Sequence, residues 1–274
     1  MTKIDPPSLA PTRVVELHRN GAVQADQLVG EAPLQITLNG RRLAVLMRTP
    51  CTAEHSDIDL TVGFLLSEGV IEDWEDFEAI GYCTDPSNLN KTNSIIVQLR
   101  SGCGLPKVFR EAKRATIVSS SCGVCGRMDI DELTPAFPPR TSFQKPSEVL
   151  IRSLPDRLRS AQRIFELTGG IHGAGLVDAS GRTLFTAEDI GRHNAMDKLV
   201  GRALRLEISG LRGGIVVMSS RISFDLVQKA LMAGVSTLVG VGAASDLAHE
   251  IAQRQGLHLF SFTKPLTTNY HPTT

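Results

Sequence analysis

The stretch GGIVVMSSRISFDLVQKALMAGVSTLVGVGAASDLAHEIAQRQGLHLFSFTK, residues 213–264, decides the fold of this chain. Short apolar runs alternate in it with longer segments whose apolar residues recur at steps of three or four. The short runs predict strands that are buried on both faces, and the longer segments predict the helices that cross between them. This alternation is typical of an α/β sheet domain with helices layered on the sheet.

The same alternation extends back towards the middle of the chain. A long amphipathic helix should come first, with Leu150 and Leu154 on its apolar face and Gly169 at its end. Pro155 should kink this helix or split it near its middle. We therefore expect residues 113–274 to form an α/β domain. Its strands are expected at 173–177, 183–186, 215–218, 237–241 and 257–262, and its crossover helices at 192–204, 224–233 and 246–255.

The residues before this domain predict a smaller α+β domain over residues 12–112. An Asn-Gly pair at 39–40 predicts the turn of a hairpin, because both residues tolerate positive φ. One helix should follow the hairpin, begin with Ser56 or Asp57 as its N-cap and end at Gly69. Strands are expected at 13–19, 34–38, 43–47, 79–83 and 94–99.

The overall charge excludes one class of function. The chain has 274 residues with 29 basic and 29 acidic side chains, so it has no long-range field to attract nucleic acid. Any anion site must therefore be built from local donors. No stretch approaches the roughly 20 apolar residues that span a bilayer, and the first residues lack the apolar core of a signal peptide. We expect a cytoplasmic protein with neither nucleic-acid nor membrane partners.

Two of the five cysteines, Cys122 and Cys125, form a pattern within SSSCGVCGR, residues 119–127. Thiols at this spacing can form a disulfide, share a metal or help each other ionise. A zinc site would need distant partners, because no second CxxC is present. A thioredoxin-like motif would open a helix, whereas prolines follow here. A sulfur carrier needs only one accessible thiolate that accepts sulfur as a persulfide.

A second polar cluster, EDIGRHNAMDK, covers residues 188–198 and begins a predicted helix. Backbone donors of the first helical turn, with Arg192 and His193, predict an anion site. His193 and Asp197 are four residues apart, as are Asn194 and Lys198. Residues at this spacing are neighbours on a helix, so we expect both pairs on its surface.

Loops at the strand ends supply a third group of candidate ligand residues. Ser219 and Arg221 follow a predicted strand, and His172 precedes another. Ligands in open α/β sheets bind at the carboxyl ends of strands. Ser219 and Arg221 are therefore predicted to contact a phosphate or a pterin, whereas His172 could equally be a structural histidine.

Five segments together resemble one family, the FdhD formate dehydrogenase accessory proteins. They are, in order, SSSCGVCGR, GGIHGAGL, EDIGRHNAMDKLVG, SSRISFDLVQKALMAG and FSFTKPLTTNYH. The resemblance covers roughly residue 30 to the end. It implies a protein that accepts sulfur from an IscS-type cysteine desulfurase as a persulfide. That sulfur would pass to the molybdenum or tungsten of bis-molybdopterin guanine dinucleotide, for use by formate dehydrogenase.

The resemblance also assigns residues. It implies that Cys122 carries the persulfide and that Cys125 is its partner. It implies a homodimer without a metal of its own, whose C-terminal domain is a cytidine-deaminase-like layered sheet. The cofactor contact near the C-terminus of the family maps onto Phe262, Thr263, Lys264, Pro265, Leu266 and Thr267.

Two other functions remain for comparison. A zinc-dependent deaminase requires an H-x-E sequence and a P-C-x-x-C sequence. No histidine here has a glutamate two residues later, and Ser121 precedes Cys122, so the ligands for this reaction are missing. A chaperone that only holds the cofactor would keep the anion-binding segments and leave the cysteines without a role. Client activation by a Cys122→Ala variant separates such a chaperone from a sulfurtransferase.

Overall fold

The computed structural model describes residues 11–19, 22–50, 52–101, 137, 142–208, 210–264 and 268–273. None of the helices within these ranges has the length and apolar character that crossing a membrane requires. The N-terminal elements are β1 (Thr12–Arg19), β2 (Ala22–Val29), β3 (Ala32–Leu38), β4 (Arg41–Arg48), α1 (Ser56–Ser67), β5 (Phe77–Tyr82) and β6 (Ser94–Leu99). The C-terminal elements are α2 (Glu148–Ala161), α3 (Arg163–Thr168), β7 (His172–Val177), β8 (Thr183–Asp189), α4 (Arg192–Arg205), β9 (Ile215–Met218), α5 (Phe224–Met232), β10 (Thr237–Gly240), α6 (Asp246–Arg254), β11 (His258–Ser261) and β12 (Asn269–His271).

The described strands form three sheets. The largest has the order β12-β11-β10-β9-β7-β8, in which β9, β10 and β11 are parallel and the other neighbours are antiparallel. A second sheet has the order β4-β3-β6-β5, and β1 pairs with β2 alone. The α/β class is therefore confirmed as a mixed sheet crossed by helices. Its likeness to cytidine deaminases stays a prediction.

The predicted hairpin is confirmed, and its turn explains the register. Asn39 and Gly40 have φ of 47° and 76°, so both residues at the turn are left-handed. Two such residues form the tight turn whose twist matches the strands on either side. Strands β3 and β4 pair antiparallel across it. Strands β2 and β12 were not predicted: most side chains of β2 are exposed, so it has no buried face to give a periodic signal, and β12 has only three residues.

The start of α1 differs from the prediction. Neither Ser56 nor Asp57 is the N-cap; His55 occupies that position with φ of 59° and makes no side-chain cap. The Asp57 carboxylate is instead bound by Arg48, whose Nε and Nη2 lie 2.9 and 2.8 Å from its two oxygens. A tertiary ion pair has replaced the local cap. The predicted end at Gly69, with φ of 68°, is confirmed.

The helix is not split at Pro155, and the alternative, a kink there, stays a prediction. Helix α2 continues through the proline and ends at Gln162, which also precedes α3. Ile151, Leu154 and Leu158 are all buried, on both sides of the proline along the helix. Tertiary packing of an apolar face supplies most of the stability of a helix in a protein, and here it keeps both turns in place.

The two parts of the chain share one apolar core through the crossing of α1 and α4. A Cβ at Gly63 would overlap the backbone oxygen of Asp197, and a Cβ at Gly201 would overlap that of Asp59. The two helix backbones are therefore in direct contact. One core cluster includes residues of both predicted domains. The boundary near residue 112 lies outside the described residues, so the division into two domains stays a prediction.

Gly201→Ala should destabilise the protein. Helix propensity alone would make alanine more stable here by about 0.8–1.0 kcal/mol, but the added Cβ must force α1 and α4 apart. Overpacking of this kind typically costs about 1–3 kcal/mol. Urea denaturation followed by circular dichroism measures the change. Gly81→Ala is the control, because a Cβ there has no neighbour within 4 Å; a Gly201→Ala protein as stable as this control would contradict the crossing.

Candidate ligand cavity and its buried brace

The main candidate site is a cavity of about 600 Å³ at one edge of the large sheet. Ser219 follows β9, Val241 follows β10, and Thr263 and Lys264 follow β11; all four line the cavity. These three strands are parallel, so their carboxyl ends meet at this edge, where open α/β sheets bind ligands. Strand β7 runs in the opposite direction and therefore presents its first residue, His172, to the same cavity.

The opposite wall comes from α2 and α3. Pro155, Leu158 and Gln162 line it, together with a stacked pair in which the Arg159 guanidinium lies 4.3 Å from the centroid of the Phe165 ring. A volume of this size lies within the ~300–1,000 Å³ that small-molecule sites occupy. This wall mixes apolar side chains with Asp156, Arg159 and Gln162.

Hydrogen bonds hold the backbone at the carboxyl ends of the parallel strands, which we call the polar end of the cavity. Ser219 Oγ accepts a hydrogen bond from Gly173 N at 2.9 Å, and Ser219 N donates to Gly173 O at 3.0 Å. Thr263 N donates to Gly240 O at 3.1 Å. The side chain of Phe262 is 47% exposed and does not line the cavity. Its backbone is left-handed, with φ of 51°. Its backbone turns the chain so that the next two residues face the cavity.

A smaller cavity of about 190 Å³ adjoins the first at His172, which lines both. Arg192 and His193, at the start of α4, line this smaller cavity. Burial lowers the pKa of His172, and the positive charge of Arg192 and the neighbouring His193 lower it further. Burial also lowers the pKa of His193, although Asp225 opposes that shift from 3.7 Å. Both rings are therefore neutral near pH 7.

A third cavity, of about 570 Å³, lies on the other side of α3. Its described lining includes Glu188 and Lys198 but none of the predicted ligand residues. Asp59 also lines it; burial raises the pKa of this acid, and its ion pair with Arg205 opposes the shift. Asp59, Glu188 and Lys198 in this lining already have partners in the protein.

The EDIGRHNAMDK cluster mainly links the N-terminal elements to the C-terminal ones through buried hydrogen bonds and an ion pair. We call this network the brace. Lys198 Nζ forms an ion pair with Asp189 at 2.6 Å and donates to Thr49 O at 2.8 Å. Thr49 N donates to Asp189 at 3.0 Å in return. Asn194 Nδ2 donates to Met47 O at 2.6 Å and to Asp189 at 3.0 Å. These contacts fasten the end of β4 to the start of α4.

The predicted surface pairs on α4 are therefore wrong. His193, Asn194, Asp197 and Lys198 are all buried. Asp197 accepts two hydrogen bonds from Lys229 Nζ, each of 2.8 Å. Spacing along the helix predicted which side chains are neighbours, but α1 and α5 cover that face. Arg192 and His193 remain as residues that face a cavity.

Two groups of predicted residues have other outcomes. Arg221 is exposed in the loop after β9, where its backbone packs against Gly242, and it lines none of the three cavities. The described residues contain no cluster of three or more histidine, cysteine or acidic side chains placed to hold a metal. Cys122, Cys125, Pro265, Leu266 and Thr267 lie outside the described residues.

Sequence reasoning missed part of the cavity wall. Arg159, Gln162 and Phe165 belong to a segment that the sequence predicts only as an amphipathic helix. Nothing in their local pattern indicates that they face a ligand cavity. Their proximity to Thr263 arises from the packing of α2 against the sheet, and no local signal could have predicted it.

Fold and cavity together define an α/β protein with a candidate ligand cavity at the ends of its parallel strands. The model of the FdhD/NarQ family matches residues 29–272, and the chain belongs to this family. It is 41% identical over 260 residues to the "Sulfur carrier protein FdhD" of Streptomyces avermitilis, covering 92% of this chain and 90% of the relative. It is 38% identical over 264 residues to the protein of that name from Mycolicibacterium paratuberculosis, covering 94% and 95%.

A solved structure shares the fold. The crystal structure of a Desulfotalea psychrophila protein, described as a formate dehydrogenase accessory protein, superposes with a TM-score of 0.71. The two chains are 23% identical, and the alignment covers 96% of each. The likeness therefore extends over nearly the whole architecture.

Lys198→Met should destabilise the fold, because it leaves the buried Asp189 carboxylate without its cation. Breaking a buried ion pair in this way typically costs about 3–5 kcal/mol. Chemical denaturation measures the loss. Arg254→Met is the matched control: it breaks an exposed pair with Glu250, and such pairs are worth about 0–1 kcal/mol. Equal stabilities of the two variants would show that the brace is unimportant.

Proposed function

We propose that this protein is a sulfur carrier that serves the maturation of formate dehydrogenase. Family membership carries the proposal, because relatives named as sulfur carriers match more than nine tenths of the chain. The paired cysteines of CGVCG supply a chemical group suited to that role. We propose an IscS-type cysteine desulfurase as the sulfur donor and the metal of bis-molybdopterin guanine dinucleotide as the acceptor.

Sulfur loading would be a thiol exchange at Cys122. Its thiolate attacks the outer sulfur of a persulfide on the desulfurase, a new S–S bond forms, and the desulfurase cysteine leaves as a thiolate. Nucleophilicity requires the ionised thiol. Arg127 lies five residues further on in the sequence, and we propose that its positive charge favours this form.

Delivery as sulfide requires two electrons, and Cys125 can supply them. Its thiolate attacks Cys122 Sγ, the outer sulfur leaves as hydrosulfide, and a disulfide joins the two cysteines. On the metal of the acceptor cofactor, this hydrosulfide would lose its proton to solvent or a nearby base and remain as the sulfido ligand. A thiol reductant must reopen the disulfide before the next cycle.

The cavity at the sheet edge is our candidate site for the cofactor that receives this sulfur. It has room for one nucleotide-sized arm of the cofactor. The chain has no net charge, so the phosphates must meet local cations, for which Lys264, Arg192 and the start of α4 are available. Neutral His172, between the two cavities, can donate or accept a hydrogen bond there.

Incubation with a cysteine desulfurase and cysteine should add sulfur to Cys122. Peptide mapping after intact-mass measurement locates it. Cys122→Ala should abolish the added mass and client activation, whereas Cys125→Ala should keep some loading and lose most activation. Cys83→Ala is the control, because Cys83 is a free thiol whose sulfur accepts a hydrogen bond from Asn88.

Two results would count against this assignment. Sulfur found on Cys83 in place of Cys122 would remove the proposed carrier. Full client activation by Cys122→Ala would leave a chaperone that only holds the cofactor.

Guanosine diphosphate, a fragment of the cofactor, should bind weakly but measurably. Arg192→Ala should weaken binding about tenfold or more, because losing a hydrogen bond to a charged group costs about 1.5–3 kcal/mol. Lys264→Ala and Arg221→Ala test the other cations near the ends of the strands. Calorimetric titration measures the affinities, with Arg254→Ala as the surface control. Unchanged affinity in all three site variants would place the cofactor elsewhere.

A further inference from the structure

His249 and His271 face each other where α6 meets the last strand of the large sheet. Their Nδ1 atoms lie 3.1 Å apart. The ring planes are inclined at 51°, so the rings meet through their nitrogens rather than by stacking. His249 belongs to α6 and His271 to β12, although β11 lies between these elements in the chain. Neither histidine lines the candidate ligand cavity, and the proposed function uses neither.

The two Nδ1 atoms have the separation that a shared metal ion requires. Zinc binds a histidine nitrogen at about 2.0–2.1 Å, so two nitrogens of a tetrahedral zinc site lie about 3.3 Å apart. Two nitrogens at a right angle, as in a square-planar copper or nickel site, lie about 2.9 Å apart. The observed 3.1 Å falls between these values. A small tilt of the rings is therefore enough for both nitrogens to bind one ion.

Ser261 orients the ring of His271 for this role. Its Oγ lies 2.8 Å from His271 Nε2, and Ser261 is itself buried in β11. When this hydroxyl accepts the Nε2 proton, the lone pair of the His271 ring is on Nδ1, towards His249. Metal-binding histidines almost always donate their other ring N–H in this way. If His249 also carries its proton on Nε2, both Nδ1 atoms can bind an ion, and no proton has to leave the protein.

The surroundings of the pair favour metal binding and select the kind of metal. Burial lowers the pKa of His271, and the neighbouring His249 lowers it further, so the ring is in the neutral form that binds metals. Both side chains are half-buried, so an ion reaches them from solvent and water can complete its coordination. Within the described residues, no third histidine, cysteine or acidic side chain joins them. Imidazole ligands suit zinc, copper and nickel, whereas magnesium and calcium prefer oxygen ligands.

We propose that His249 and His271 form a binding site for a divalent transition-metal ion, with zinc as the test case, that fastens β12 to α6. Strand β12 has only three residues and lies at the edge of the sheet, so a metal cross-link to a helix stabilises it. The site is separate from the candidate ligand cavity and does not depend on sulfur transfer.

Zinc titration of the full chain tests the proposal. The parent protein is the Cys122→Ala, Cys125→Ala double variant, because paired thiols also bind zinc. After removal of metal with a chelator, calorimetry should show a zinc site in this parent. His249→Gln, added to the parent, should weaken that site more than about tenfold, because even a group that only supports a metal ligand is typically worth about 10–100-fold in affinity. His18→Gln, at an exposed position of β1, is the matched control and should leave zinc binding unchanged.

Two further variants separate metal binding from a structural hydrogen bond. Ser261→Ala should weaken zinc binding about tenfold, because it removes the group that orients the ring of His271. Zinc should raise the unfolding temperature of the parent, since an ion that binds only the folded state stabilises it. It should not do so in the His271→Gln variant. Magnesium should have no effect on either protein.

Chemical modification of the wild-type chain gives a test that needs no substitution and therefore does not depend on how a variant folds. Diethyl pyrocarbonate acylates imidazole nitrogens that carry a free lone pair, and peptide mapping identifies the modified histidines. With metal on Nδ1 and a proton on Nε2, neither ring of the pair has such a nitrogen. Zinc should therefore protect His249 and His271 and leave His18 reactive.

Two results would overturn the proposal. One is a zinc affinity that stays the same in both His249→Gln and His271→Gln. The other is equal modification of the two histidines with and without zinc. Either would leave the pair as a hydrogen bond between two side chains.

Discussion

The close crossing of α1 and α4 is the contact on which the rest of the structure depends. Gly63 and Gly201 let the two backbones touch, since a Cβ on either residue would overlap the opposite helix. This contact brings Thr49, at the end of β4, against Asp189 and Lys198. It also fixes the direction of α4, whose first turn borders the smaller cavity. Packing of one helix pair thus positions the cations that face the ligand site.

Buried polar groups differ in whether they are paired within the described residues. Those around the helix crossing are paired: Lys198 with Asp189, and Lys229 with Asp197. Removing one member of such a pair exposes the other to a low-dielectric interior, so these residues stabilise the fold. Gln162 and Thr263, in the cavity wall, have an unpaired atom each within the described residues. The paired side chains hold the protein together, whereas Arg192 Nε and His193 Nε2, beside the smaller cavity, are likewise unpaired within the described residues.

Local patterns predicted most of the elements, because their causes are local. The Asn-Gly turn and the apolar runs of β9 and β10 depend on neighbouring residues, and they were correct. The errors share another cause. The cap at Asp57, the break at Pro155 and the surface pairs of α4 were all decided by elements distant in sequence. Helical spacing shows which side chains are neighbours, but it does not show what covers them.

The sequence by itself determined the alternating α/β pattern, the CxxC pair and the family resemblance, since each depends on residue type and short spacing. The tertiary structure alone decided which polar residues meet at the cavity. Gln162 and His172 are distant along the chain from Ser219 and from Thr263, yet all four line one space. They meet because β9, β10 and β11 are parallel, so that their carboxyl ends share an edge on which α2 and α3 close. The parallel direction of these strands, rather than the spacing of residues in the sequence, brings the cavity side chains together.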